Sequence, residues 1–197
     1  MIKRLKYFPR LLLTYLWDIR YFFEYGLKTR VQSETYKAYI STKLYPEYMK
    51  RGNAAKFITP IAQQFCIGDG VDIGASKWPV FSARAIDNNE NENAYKINEK
   101  DESLDYIFSS HLLEHLDEPA KALKEWSRVL KKDGHIFIYV PHPACEMWNS
   151  KILSHHIWDP SPTELRSIVS NLNTLEIVAQ DPSPDAYLSH YIACRKI

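Results

Sequence analysis

Between Leu104 and Val140 the hydrophobic pattern changes period twice. Leu104, Tyr106, Ile107 and Phe108 form a short apolar run, Leu123, Trp126, Val129 and Leu130 recur at helical spacing, and His135–Val140 is again a mostly apolar run. The middle segment is well punctuated: Asp117 is the expected N-cap, Pro119 lies in the first turn, Lys131-Lys132 meet the negative end and Gly134 is the expected C-cap. Strand, helix and strand in succession predict one parallel βαβ crossover. That crossover sets the polar elbow Ser109-Ser110-His111-Leu112-Leu113-Glu114-His115 at the carboxyl end of a strand, where open α/β sheets bind ligands.

Further β-rich runs extend the sheet. Strands are predicted at Gly70–Gly74, Ala83–Asp87, Tyr95–Asn98, Leu104–Ser109, His135–Val140, Thr174–Ala179 and Tyr187–Arg195, which makes seven. Ser161-Pro162-Thr163-Glu164 is a capping box that opens a helix to about Asn171. The first 50 residues read differently. Leu5, Phe8, Leu12, Leu16, Ile19 and Phe23 alternate spacings of three and four, one face of an amphipathic helix that becomes regular near Pro9. Helices are also predicted over Ser33–Arg51, stopped by Gly52, and over Ala54–Phe65, interrupted by Pro60. The chain therefore divides into an N-terminal helical extension, residues 1–52, and an α/β domain, residues 53–197.

Thr14, Asp18 and Arg20 break the longest apolar run, Leu11–Leu13, so it falls far short of the roughly 20 residues of a membrane span. No small-residue cleavage site follows it, and no secretory signal is expected. Its basic opening, Lys3, Arg4, Lys6 and Arg10, leaves two expectations open: packing on its own domain or a second subunit, as in a homodimer, or peripheral contact with a membrane surface.

A length of 197 residues suits one domain with an appendage. The formal net charge of +1 supplies no field for a polyanion, so no nucleic-acid partner is expected. Cys66, Cys145 and Cys194 are odd in number and far apart, which suggests neither a disulfide framework nor a zinc site and points to a reducing, cytoplasmic compartment. Thirteen tyrosines and five tryptophans are expected to fill the core rather than line a pocket.

Val71-Asp72-Ile73-Gly74-Ala75-Ser76 reads as a buried strand with an acidic residue near its end, then a glycine turn through which the backbone can pass close to a ligand. Fifteen residues after Asp72, Asp87 tips the next strand, where a carboxylate can hold a ribose hydroxyl pair. Together with the crossover, these pieces resemble class I S-adenosylmethionine-dependent methyltransferases with a methyltransferase type 11-like domain. The likeness is to the branch whose first loop reads like DIGxxxxPV and whose fourth strand runs into S-H-x-L-E-H. It is strong over Gly70–His142 and looser to Ile197. Its most specific stretches are Phe108–Leu116 and Glu125-x-x-Arg128-Val129-Leu130-Lys131-x-Asp133-Gly134.

The resemblance implies a Rossmann-like seven-stranded sheet with its last strand antiparallel and helices on both faces. It also implies S-adenosylmethionine as cofactor and S-adenosylhomocysteine as product. By the same likeness Asp72, Gly74 and Ala75 border the methionine part of the cofactor. Ser76 stands in that loop where the family commonly carries a second glycine. Asp87 holds the ribose, Asn88 and Asn98 lie near the adenine, and Ser110 and His111 face the methionine end.

Methyl transfer asks the protein to align an acceptor atom with an already activated methyl group and to exclude water; a hydroxyl acceptor also gains from a base. His111 is the first choice of base, with His142 and the pair His155-His156 as rivals, while His115 is expected to pack or cap. Trp78, Tyr95 and Trp148 are candidate aromatic faces for the sulfonium. Adjacent histidines point apart, so His155, His156 and Asp159 are not expected to hold a metal.

The reading that results is methyl transfer to a small-molecule or sugar acceptor, most simply a hydroxyl, in a pocket roofed by the N-terminal helices and residues 144–160. The branch resembled extends to surface-polysaccharide assembly, so the acceptor can be a glycan precursor. The expected location is the cytoplasm, at the inner face of the membrane if the first helix lies there. The alternative is a catalytically lapsed binding subunit of the same fold that docks through its aromatic N-terminal helix. A nicotinamide-dependent dehydrogenase is disfavoured, since no G-x-G-x-x-G follows the first strand and no Tyr-x-x-x-Lys sits where that chemistry needs it.

Overall fold

The computed structural model describes residues 55–76, 79–89, 91–145, 150, 156–185 and 188–197. The N-terminal extension, the boundary at 52/53, Trp78, Trp148 and His155 lie outside the described residues.

Among the described residues six strands form one sheet: β1 (Gly70–Ile73), β2 (Arg84–Ile86), β3 (Leu104–Ser110), β4 (Leu130–Pro141), β5 (Leu175–Asp181) and β6 (Ser189–Lys196), in the order β2-β1-β3-β4-β6-β5. The first four are parallel, and β6 inserts antiparallel between β4 and β5. From β1 the chain steps outward to β2, then returns to place β3 on the other side. The winding therefore reverses between the carboxyl ends of β1 and β3, the switch point at which doubly wound sheets open a crevice.

Each face of the sheet is covered, which is why its central strands read as apolar runs rather than alternations. On one face Val71, Ile73, Ile107, Ile136 and Ile138 join Ala122, Leu123, Trp126 and Val129 of helix α2 (Pro119–Val129) and Leu165 and Val169 of α3 (Pro162–Ser170). On the other face lies an aromatic layer. Phe108 stacks on Phe137 at 5.9 Å, and Phe137 stacks on Tyr191 at 5.2 Å. Phe65, just beyond helix α1 (Ala55–Ala62), tilts onto Phe137 at 5.8 Å, and Phe81 meets Phe108 edge-on at 5.8 Å. Of the tyrosines and tryptophans expected to fill core, Tyr106, Tyr139 and Trp126 are fully buried, and most of the others lie outside the described residues.

The run Tyr95–Asn98, expected as a seventh strand, forms no ladder. Side chains capture its donors: Asn93 accepts the Tyr95 N–H at 2.8 Å, Glu125 that of Ile97 at 2.8 Å and Glu92 that of Asn98 at 2.9 Å. Arg128 holds the same segment through the carbonyls of Ile97 and Glu99, each at 3.0 Å. Only an isolated Asn93–Lys96 bridge remains.

Two details of the crossover also differ. Glu118, not Asp117, occupies the N-cap and makes no side-chain cap bond, because Asp117 accepts the Tyr95 hydroxyl instead. Helix α2 stops at Val129, β4 starts at Leu130, and a bulge follows in which Asp133 rather than Gly134 takes a positive φ of 63°. Gly134 is required by close approach: a Cβ there would lie 2.9 Å from the carbonyl oxygens of Asp105 and Lys131. The capping box at α3 forms as predicted, Ser161 Oγ accepting the Glu164 N–H at 3.2 Å and Glu164 accepting the Ser161 N–H at 3.3 Å. Among the described residues no helix is long and apolar enough to cross a membrane.

Candidate active site

The loop after β1 opens the crevice. Gly74 takes φ +84°, a Cβ on it would sit 3.0 Å from that of Leu112, and its N–H donates to the Ile86 carbonyl of β2 at 2.7 Å. Ser76 holds φ +52° in the left-handed region that glycine normally fills, so the loop keeps its shape without a second glycine. Ala75 is buried. Gly74→Ala is expected to lower stability by about 1–2 kcal/mol through this backbone strain alone, read as a shift in urea midpoint at unchanged slope.

Two carboxylates flank that loop. Asp72, on β1, is 2% exposed, and its Oδ2 accepts the Val80 N–H at 3.0 Å. Burial pushes its carboxyl up to about 7; the Val80 bond opposes this and the Asp87 charge reinforces it. Asp87, exposed at the tip of β2, accepts the Ser76 N–H at 3.0 Å and so ties the two strand ends together. Asn88, next to it, is exposed. Asn98 is held elsewhere: its N–H bond to Glu92 leads to the Arg84 ion pair at the start of β2, the opposite end from Asp87. Tyr95 does not present a vacant ring face on the side where Lys121 Nζ lies, 5.6 Å from its centroid.

From β3, Ser109 Oγ donates to the Ile73 carbonyl at 3.1 Å and closes the sheet beneath the crevice. Ser110 Oγ is buried and has no hydrogen-bond partner among the described residues. His111 follows with φ +52°, its N–H donating to the Tyr139 carbonyl at 2.8 Å and its ring set edge-on to Tyr139 at 5.3 Å. Its Nε2 lies 3.0 Å from Ser189 Oγ, and burial holds the imidazole well below its ordinary value, with His156, His115 and His190 adding to the effect.

His142 follows β4 at the same edge. Its Nδ1 accepts the Ala144 N–H at 3.0 Å and its ring meets His190 edge-on at 5.5 Å. Burial lowers it too. His190 Nε2 lies 2.8 Å from the Pro160 carbonyl. Pro141, His142, Cys145, His156 and Pro160 line a small cleft beside these groups. Glu114, in the 3₁₀ turn Leu113–His115, is fully buried, and burial raises its carboxyl to about 8. His115 packs, its ring edge-on to His156 at 4.7 Å.

Among the described residues five histidines, His111, His115, His142, His156 and His190, thus meet at the carboxyl edge of the sheet. Sequence reasoning missed Ser189, His190 and Glu114. The first two reach His111 only because β6 inserts beside β4, a pairing no local pattern encodes. The third was visible only within the elbow motif, with no sign of its burial.

Residues 52–138 match the family described as "Methyltransferase domain". No curated protein matches the chain. Among solved structures, a chain from the complex that the Haloferax volcanii Trm112 methyltransferase activator forms with a protein described as a methyltransferase is similar. Its TM-score is 0.58 at 13% identity, over 84% of this chain and 99% of that one. A Thermotoga maritima S-adenosylmethionine-dependent methyltransferase gives 0.56 at 16%, over 83% and 99%. A Methanosarcina mazei S-adenosylmethionine-dependent methyltransferase gives 0.54 at 15%, over 70% and 97%. At such identities the structures speak for the fold. The family match spans the glycine loop, both acidic strand tips and the Ser110-His111 elbow, so over residues 52–138 this chain is similar to methyltransferase domains, and among the described residues its sheet has one strand fewer than the seven expected.

Proposed function

We propose that the enzyme methylates a hydroxyl of a small-molecule or sugar acceptor, and that His111 receives the proton the hydroxyl gives up. The observation that carries this is the pairing of Ser110 and His111 at the switch point. A buried hydroxyl, without a partner among the described residues, stands next to an imidazole whose Nε2 is positioned by Ser189 Oγ at 3.0 Å.

The residues present fit the cofactor. Asp72 offers a buried carboxylate to a cation, Gly74 a close backbone approach, Asp87 a carboxylate at the ribose position with Asn88 beside it, and Ser110 a buried hydroxyl. When bound, S-adenosylmethionine supplies an activated sulfonium methyl group. Asp72 and Asp87 hold and orient the ligand, the Gly74–Ser76 turn lets it approach, and the Ser109–Ile73 bond ties β3 to β1 beneath it. Leu112, packed against Gly74, fixes the elbow in register with the loop. The buried thiols of Cys66 and Cys194 support a reducing, cytoplasmic setting.

The test compares two variants, with nucleotide sugars and small hydroxyl compounds as acceptors. His111→Ala is expected to cut turnover by about 100-fold or more while cofactor affinity changes little. Asp87→Ala is expected to weaken S-adenosylhomocysteine binding by about 1–3 kcal/mol. Wild-type turnover in His111→Ala would contradict the base assignment, and its loss in His142→Ala would move the role there.

A further inference from the structure

We propose that Glu114, His115 and His156 bind one divalent transition-metal ion of the zinc class. One ligating atom from each residue lies within 4.8 Å of the others. Glu114 is 0% exposed, and among the described residues neither of its carboxylate oxygens has a hydrogen-bond partner. Its nearest cationic candidates, His111 Nδ1 at 3.7 Å and His115 Nε2 at 3.8 Å, stand beyond hydrogen-bond reach of Oε1. A carboxylate stripped of water and given no donor is costly, and native structures rarely keep one without a ligand, a proton or an ion to explain it.

The protein backbone, not an ion, brings these donors together. The Ile157 N–H donates to the Glu114 carbonyl at 2.8 Å, and Trp158 Nε1 donates to the Leu113 carbonyl at 2.9 Å. These bonds anchor the segment carrying His156 against the turn carrying Glu114 and His115. The two rings stand at 86° to each other, 4.7 Å between centroids. Ligand atoms about 2.1 Å from a tetrahedral ion sit about 3.4 Å apart. The three groups need to close by at most about 1.4 Å from their 4.8 Å limit, a side-chain adjustment.

The donor set selects the ion. Two imidazoles and one carboxylate match zinc sites with three protein ligands and an open fourth position, whereas magnesium and calcium favour oxygen donors and copper(I) favours thiolates. His115 is 30% exposed at its side chain, which gives the ion a route in and leaves room for a water or an oxygen ligand. The site departs from the sequence expectation for this segment, which tested His156 only against His155 and Asp159. Asp159 is engaged by Ser150, at 2.6 Å from its N–H and 3.0 Å from its Oγ. The partners of His156 instead come from the β3 elbow.

This inference does not rest on methyl transfer, because metal retention is measured without cofactor or acceptor. The full-length protein is stripped with a chelator, mixed with zinc chloride, desalted and analysed for metal by mass spectrometry. About one zinc per chain is expected, with affinity lowered at least about tenfold in Glu114→Gln and in His156→Ala and unchanged in His142→Ala. Negligible zinc on the wild type, or wild-type retention in a Glu114→Gln protein of native circular dichroism, would overturn the site. If the variants fail to fold, cobalt(II) titrated into the wild type decides: a visible band of low-symmetry coordination that zinc abolishes supports the site, and the spectrum of the aqua ion overturns it.

Discussion

Asp72→Asn is expected to stabilise the fold at pH 8 by about 2–4 kcal/mol while weakening its hold on S-adenosylhomocysteine. Burial lifts the Asp72 carboxyl to about 7 in the folded chain, against the ordinary 3.8. Below about pH 4 folded and unfolded chains both carry the proton, and the group costs nothing. As pH rises from there the unfolded chain releases its proton first, so stability falls progressively until the folded chain also ionises near pH 7. Above that the full cost is present. Asparagine cannot ionise, yet its oxygen can still accept the Val80 N–H that Asp72 accepts at 3.0 Å.

Urea melts at pH 5 and pH 8 check this. The wild type should lose stability across that interval more steeply than the variant, and equal slopes would show that Asp72 is not strained by burial. Cofactor affinity should move the other way, because the charge that destabilises the empty fold is the one that attracts a cation. In the wild type that affinity should fall as pH drops through about 7, and in Asp72→Asn it should be low throughout.

Trp126→Ala is expected to remove most of the chain's stability. Trp126 is fully buried between the sheet and α3, and its Nε1 donates to the Ala94 carbonyl at 2.9 Å. Truncation costs about 3–5 kcal/mol for the lost packing and cavity, and the abandoned carbonyl adds about 1–3 kcal/mol. Set against a total of about 5–15 kcal/mol for a domain, that leaves little margin. Loss of a cooperative urea transition, or a midpoint near zero denaturant, is the predicted result. A midpoint close to the wild type's would show that the loop holding Ala94 is not part of the cooperative core.

The crossover was legible because two local signals there agreed. Period and proline marked α2 between β3 and β4 and the Ser161 box marked α3, whereas Lys131, Lys132 and Gly134, expected at the end of α2, belong to β4. Side-chain partners distant in sequence governed what was not legible. Ile97 gives its N–H to Glu125, 28 residues away, so a run with strand-like composition never meets a ladder. Asp133 takes the positive φ beside a glycine because Gly134 is needed where two carbonyls crowd it.

The placement of the two carboxylates was readable from the sequence alone: Asp72 lies in β1 and Asp87 directly follows β2. The histidine edge was not. His111 meets Ser189 across 78 residues, and His156 meets Glu114 and His115 only after the 156–160 segment folds back onto the 3₁₀ turn.

The most direct measurement is a crystal structure grown with S-adenosylhomocysteine. The nucleoside should lie across the carboxyl ends of β1 and β2, its ribose on Asp87 and its sulfur toward Ser110 and His111. An empty crevice, or the nucleoside bound at the opposite edge of the sheet, would contradict the account.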